Sequence, residues 1–158
     1  MIRRYQAGDE QYIAKIYHDA IIQLAAGDYT PDQLHAWANP PVNVKHWKQR
    51  CATKQPFVKE QEGRVVGFIE LDPDGHIDCT YVDPVFARTG IVSEIMHEVK
   101  RAARASGIRT LFAEVSKTAR PFFVRHNFTW IRDNQTHVRG VLLENYIMEC
   151  DLAAELRD

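Results

Sequence analysis

Cysteine is scarce in this 158-residue chain: Cys51, Cys79 and Cys150 stand far apart and form no C-x-x-C pair. That excludes a disulfide framework or a zinc site as the organising element and points to reduced thiols. Runs of like charge are missing too. Lysine and arginine number 20 against 21 acidic residues, so neither a nucleic acid nor an anionic membrane is favoured as partner. No apolar stretch approaches the roughly 20 residues of a membrane span, and "MIRRYQAGDE" lacks the apolar core of a signal peptide. The expectation is a cytoplasmic protein that contacts no membrane. His18, His97, His126 and His137 follow no ligand spacing, so no metal is expected. Repeats and low-complexity tracts are absent, which leaves residues 1–158 as one globular domain with apolar residues enough for a core.

What is present is a change of hydrophobic period. "IRRYQ" reads as an opening strand, and Ile13, Ile16, Tyr17, Ile21 and Leu24 recur at helical spacing after an acidic first turn. In "YTPDQLHAWANPP", Thr30 is a cap, Pro31 suits the first helical position and Pro40–Pro41 closes the segment. A short helix carrying Trp47 fits between Asn43 and Lys54. The period then becomes two over "PFVKEQ", "RVVGFIELD" and "HIDCTYVDP", three strands expected to pair antiparallel. A helix follows Gly90 and stops near Gly107, "TLFAEVS" is a buried strand, "TARPFFVRHNF" a short helix, and two strands flank Arg139–Gly140. This order predicts a mixed sheet with helices on its faces, an α+β fold.

The stretch "VDPVFARTGIVSEIM" leaves a strand, turns through Pro84 and sets Arg88, Thr89 and Gly90 where a helix begins. The first N–H groups of a helix lack internal partners and carry the positive end of its dipole, so residues Arg88, Thr89, Gly90, Ile91, Val92 and Ser93 are a candidate anion cradle. By strand alternation Val66, Phe68 and Glu70 share a face, and His76, Asp78 and Thr80 oppose Ile77, Cys79 and Tyr81. Glu70 is either a strand-end surface residue or a base in a cleft. His76 and Asp78 either line an acceptor site as bases or face water. Tyr146 is a candidate surrogate acid or a half-buried strand tyrosine, while Tyr29, His35, Trp37 and Trp47 are acceptor-side aromatics or core.

Three segments carry a resemblance to the GNAT superfamily of acyl-CoA-dependent N-acetyltransferases. "YVDPVFARTGIVSEIM" is similar to its pyrophosphate loop, Q/R-x-x-G-x-G/A, spanning Ala87 to Val92 here. "EVSKTARPFFVRHNF" resembles its second cofactor segment through Ser116, Ala119, Phe123, Asn127 and Phe128. "YTPDQLHAWA" with "RGVLLENYIMECDL" resembles a bacterial subgroup. The resemblance implies a mostly antiparallel central sheet flanked by helices and acetyl-CoA as co-substrate. It implies an acetyl group moved to a small-molecule or protein amine by direct attack. Main-chain N–H groups near Tyr81 and Val82 would hold pantetheine and the thioester oxygen, with Ser116 and Phe123 beside the cofactor.

The chain departs from the family pattern at Ala87, Val92 and Phe123, and Phe123 replaces a tyrosine that protonates the departing thiolate. The thiol pKa is about 8.5, so that loss is tolerable, whereas deprotonating a lysine-like amine at pH 7 costs roughly 4–5 kcal/mol. The base therefore matters more than the acid. The alternative is a non-catalytic acyl-CoA-binding or regulatory module, and exposed carboxy-terminal strands point to a homodimer.

Overall fold

The computed structural model describes residues 1–155. Strand β1 (Ile2–Arg4) leads into helix α1 (Glu10–Asp19), which continues as a π-helical turn, Ala20–Leu24. Helix α2 (Pro31–Ala38) starts where the sequence places it, with a capping box: Thr30 Oγ1 accepts the Gln33 N–H at 3.2 Å and Gln33 Oε1 accepts the Thr30 N–H at 2.9 Å. Helix α3 (Val44–Lys54) precedes β2 (Phe57–Gln61), β3 (Arg64–Leu71) and β4 (Ile77–Val82). Helix α4 (Ile91–Ala105) buries Ile91, Ile95, Met96, Val99 and Ala103, the stripe its period demands. It ends where Gly107, at φ +80°, lets the Ile108 N–H reach back to the Ala103 carbonyl. The chain closes with β5 (Thr110–Ser116), α5 (Arg120–Arg125), β6 (Thr129–Val138), β7 (Val141–Asp151) and a helical turn, α6 (Leu152–Glu155), that the strand-like sequence pattern did not announce. Lys100 of α4 holds α6 by an ion pair to Glu155.

The expected mixed sheet is present but opened. β1-β2-β3-β4 form one antiparallel sheet and β5-β7-β6 another, joined by a single parallel bridge between His76 and Phe112. Gly75 makes that junction possible. A Cβ there would overlap the Thr110 carbonyl oxygen, and the residue adopts φ +97°, so only glycine lets the two chains meet. Beyond the bridge neither strand edge has a partner strand among the described residues, and β4 and β5 diverge into a cleft.

One core lies between α4, α5 and both sheets, with Ile69, Met96, Leu111 and Met148 at its centre. A second, with Ile13, Trp47 and Phe68, lies on the opposite face of the first sheet under α1 and α3. Strict alternation fails in β3. Lys59 pairs with Gly67 but Glu60 with Val65, so Val66 is an extra residue. It turns with Ile69 toward α4, whereas Val65 and Phe68 face α1 and α3. Val66 and Phe68 therefore do not share a face. A second irregularity between Ile69 and Leu71 sends Ile77 to the α4 side and Cys79 to the α3 side, undoing the expected Ile77–Cys79–Tyr81 face.

Candidate active site

The cleft between β4 and β5 encloses about 800 Å³ of empty space, counting its open mouth. Its β4 wall carries Asp78, Thr80 and Tyr81, its β5 wall Glu114 and Ser116, and Trp37 and Tyr29 stand across from them. Tyr29 is fixed there because its hydroxyl donates to the Glu144 carbonyl at 2.7 Å and accepts the Lys117 N–H at 3.0 Å. Trp37 packs edge-on to it, ring centroids 5.4 Å apart. Of the other aromatics expected on the acceptor side, Trp47 is buried in the α1–α3 core and His35 is exposed outside the cleft lining. Burial drives the Tyr81 hydroxyl well above its ordinary pKa, so it stays protonated. Thr80 lines the cleft, but its hydroxyl is buried in the wall without a hydrogen-bond partner among the described residues.

A ladder of charges runs behind this wall. Glu70 is fully buried and bound by Arg50 through Nε at 2.9 Å and Nη2 at 2.7 Å. This corrects the expectation of a strand-end surface residue or a base in the cleft: Glu70 is a core ion-pair partner, since it alternates with Phe68 on the face that packs under α3. Arg50 Nη2 also reaches Asp78 at 2.8 Å, and Lys54 Nζ donates to Asp78 at 2.9 Å and Asp72 at 2.9 Å. Burial alone would raise the Asp78 carboxyl, but Lys54 and Arg50 outweigh it and hold it below the ordinary range. Asp72, His76 and Asp78 lie close enough to share a metal, yet the Lys54 ammonium sits between the two carboxylates.

His76 continues the ladder to the cleft. Its Nδ1 lies 3.2 Å from Asp72 Oδ2 and its Nε2 2.6 Å from Glu114 Oε2, with the ring stacked on Phe112. Burial would lower its pKa; the hydrogen bond and charge of Glu114, then Asp72 and Asp78, outweigh it and raise it above the ordinary histidine value. Glu114 was not among the residues singled out from sequence. One signal was there: in "TLFAEVS" Glu114 alternates with the buried Leu111, Ala113 and Val115, and a lone carboxylate on such a strand has to face something other than core. Tyr146 is absent from the cleft lining; it packs on the α4–α5 core, where the Arg120 guanidinium lies 4.4 Å from its ring centre. Four acid-base candidates thus separate into one linked to the cleft wall through Glu114, two held by cations, and one elsewhere.

At the end of β4 the chain turns through Pro84–Phe86 into the loop before α4. Arg88 and Gly90 adopt φ +63° and +87°, and Thr89 Oγ1 donates to the Phe86 carbonyl, closing the turn. Among the described residues no acceptor meets the N–H groups of residues 88–93; Glu94 is the first to find one, Gly90 O at 3.0 Å. Such a run of free donors suits a phosphate. Added bulk at Gly90 would meet nothing within 4 Å, so the approach is open. Val92 packs against the core instead of crowding the loop, and Ile91 is core, leaving only their N–H groups to the cradle. Ser93 Oγ lies 2.9 Å from His126 Nε2. Ser116 lines the cleft while its Oγ accepts the Ala119 N–H at 3.0 Å, and Phe123 is a core residue whose edge reaches the cleft. Asn127 takes φ +66°, a left-handed conformation that asparagine tolerates better than most residues.

Two splayed strands followed by a free N–H cradle define a site for an elongated, phosphate-bearing ligand, and comparison places the fold. The chain belongs to the GNAT family of acetyltransferases: residues 25–150 match the acetyltransferase (GNAT) domain. Among its relatives, the N-acetyltransferase YafP of Escherichia coli K12 is 31% identical over 147 residues, 93% of each chain. A GCN5-related N-acetyltransferase structure from Rhodopseudomonas palustris superposes with a TM-score of 0.89 at 28% identity, covering 96% of this chain and 94% of that one. The structure of yncA from Salmonella typhimurium, solved with its cofactor acetyl-CoA, shares the fold with a TM-score of 0.73 at 19% identity, covering 96% and 93%.

Proposed function

We propose that this protein transfers the acetyl group of acetyl-CoA to a primary amine by direct attack in a ternary complex. The observation that carries the reading is the cleft opened at Gly75 between β4 and β5, with the unpaired N–H groups of residues 88–93 following β4. The cradle takes the pyrophosphate, with Arg88 adding a charge-assisted contact. The main-chain N–H of Val82, which the pairing with β3 turns outward, holds pantetheine or the thioester oxygen, and Ser116 lines the cleft beside it. Acetyl-CoA brings an activated thioester; the chain binds it, aligns the amine and removes a proton.

The rival reading, a non-catalytic CoA-binding module, rests on Ala87, Val92 and Phe123. Val92 is turned into the core, which removes one of its supports. Calorimetric titration with acetyl-CoA, in wild type and in Arg88→Ala, tests the cradle. Micromolar binding that weakens about tenfold in the variant, roughly 1.4 kcal/mol, is expected; absence of binding by the wild type would sink the assignment. Two-substrate initial rates with an accepted amine should give intersecting reciprocal plots, and parallel ones would mean an acetyl-enzyme.

A further inference from the structure

The cleft has two halves with different linings. Toward α4 and α5 it is walled by residues of the central core, Ile77, Ala113, Val115 and Phe123, and the N–H cradle opens ahead of α4. A cofactor seated on that cradle enters from this side, which leaves the half under α2 to the acceptor. There rings from distant segments come together: Tyr29 from the turn before α2, Trp37 from α2 and Tyr81 from β4, with Val138 and Leu143 beside them. The Trp37 ring centre lies 5.4 Å from that of Tyr29 and 6.5 Å from that of Tyr81, at 72° and 57°, so the walls present rings in several orientations.

These rings are held in place by the protein itself. Arg139 Nη1 donates to the Ala36 carbonyl at 2.7 Å and Gln33 Nε2 to the Leu142 carbonyl at 2.9 Å, which pins α2 to the β6–β7 hairpin. The Tyr17 hydroxyl donates to the Trp37 carbonyl at 3.2 Å. Side chains fixed in this way lose little freedom when a ligand arrives. The charges of the cleft wall are matched as well. Asp78 pairs with Arg50 and Lys54, Glu114 contacts His76, and Glu144 faces Lys117 Nζ at 3.4 Å. That Nζ also lies 5.4 Å from the centre of the Tyr29 ring, so a cation of the protein already sits on one face of it.

We propose that the acceptor is an arylalkyl monoamine whose ring is held among Tyr29, Trp37 and Tyr81 with its amino group directed to the thioester, and that Lys117 turns away diamines and basic peptides. The proposal rests on the acetyltransferase reading above and names its substrate class. Offset and edge-to-face ring contacts add to the area buried, which separates an aryl group from a saturated ring of like size. The reacting nitrogen sheds its charge before it attacks. A second ammonium would keep its charge, meet the Lys117 ammonium and find each cleft-wall carboxylate among the described residues already paired. Trp37 is thus a specificity-determining residue: it holds the ring and moves no proton.

The test measures kcat/KM by CoA-thiol release for 2-phenylethylamine, 2-cyclohexylethylamine, putrescine and a short lysine peptide, in wild type, Trp37→Leu, Trp37→Phe and Lys117→Gln. The two ring amines share a chain length and an ammonium, and differ in the ring. Wild type should favour the aryl amine about five- to tenfold over the saturated one. Trp37→Leu should bring that ratio below about twofold, through KM more than kcat, while Trp37→Phe keeps most of it. Putrescine and the peptide should react about 100-fold less efficiently than the aryl amine, and Lys117→Gln should raise putrescine turnover about threefold by freeing Glu144. Should Trp37→Leu fail to fold, seen as lost acetyl-CoA binding by calorimetry, Trp37→Phe and the wild-type ratios decide. Equal use of both ring amines by the wild type, a preference for putrescine or the peptide, or a ratio unmoved in a folded Trp37→Leu would overturn the aromatic site while leaving acetyl transfer intact. Putrescine turnover unmoved in Lys117→Gln would overturn the charge filter. Binding of acetyl-CoA by the wild type with no transfer to any of these amines would overturn the acetyltransferase reading and the acceptor class together.

Discussion

At the scale of single residues, this protein separates carboxylates by what surrounds them. Glu70 and Glu114 are both strand glutamates, but Glu70 is sealed beneath α3 and Glu114 faces the cleft. Glu70 then depends on Arg50 for its charge. Arg50→Met should cost about 3–5 kcal/mol, because a buried carboxylate is left without a partner, whereas the double variant Arg50→Met/Glu70→Met should recover much of that loss. Urea midpoints of the two variants measure the difference; similar destabilisation in both would mean that packing of the arginine stem, and not its charge, holds α3 on the sheet. Residue identity alone did not show this distinction. Glu70 reads as a base candidate from its strand position, and only the packing of α3 shows that the face it shares with Phe68 is closed over by Arg50.

Whole elements were more legible, for reasons that differ among them. Helix α4 is plain in the sequence because its apolar stripe repeats at helical spacing and glycines bracket it. Helix α2 is plain because the Thr30 capping box and Pro31 fix its start. Strands β3 and β4 were legible as strands but not as faces, since an inserted residue reverses the period-two rule without changing composition. The junction of β4 and β5 depends on one position. Gly75→Ala adds a methyl against the Thr110 carbonyl at positive φ, and should destabilise the fold by about 2–4 kcal/mol, from overpacking and left-handed backbone strain combined. A thermal or urea midpoint unchanged by this substitution would show that the pinch yields easily and that Gly75 does not set the cleft.

For the whole molecule, the cleft lies between two sheets that share one bridge, so a ligand seated there spans both. If acetyl-CoA binds only the folded chain, a concentration of 100 times Kd should add about 2.7 kcal/mol of stability and raise Tm by about 5–10 °C. Thermal denaturation with and without acetyl-CoA measures the shift; a Tm that does not respond would mean that the cleft does not take the cofactor.

The amino-acid sequence by itself determined most of the element order and the position of the loop before α4, and its motifs carried the resemblance to the family. The elements follow from local physics: caps and periodicity are properties of neighbours along the chain. It also supplied His76 and Asp78 as acid-base candidates without ranking them. Tertiary structure set their different surroundings, because those depend on what arrives from distant segments: Arg50 and Lys54 from α3 pair with Asp78, while Glu114 from β5 meets His76. Charges interact across a few ångströms of space, whatever their separation in the chain, so a ladder joining α3, β3, β4 and β5 exists only once the sheet has formed.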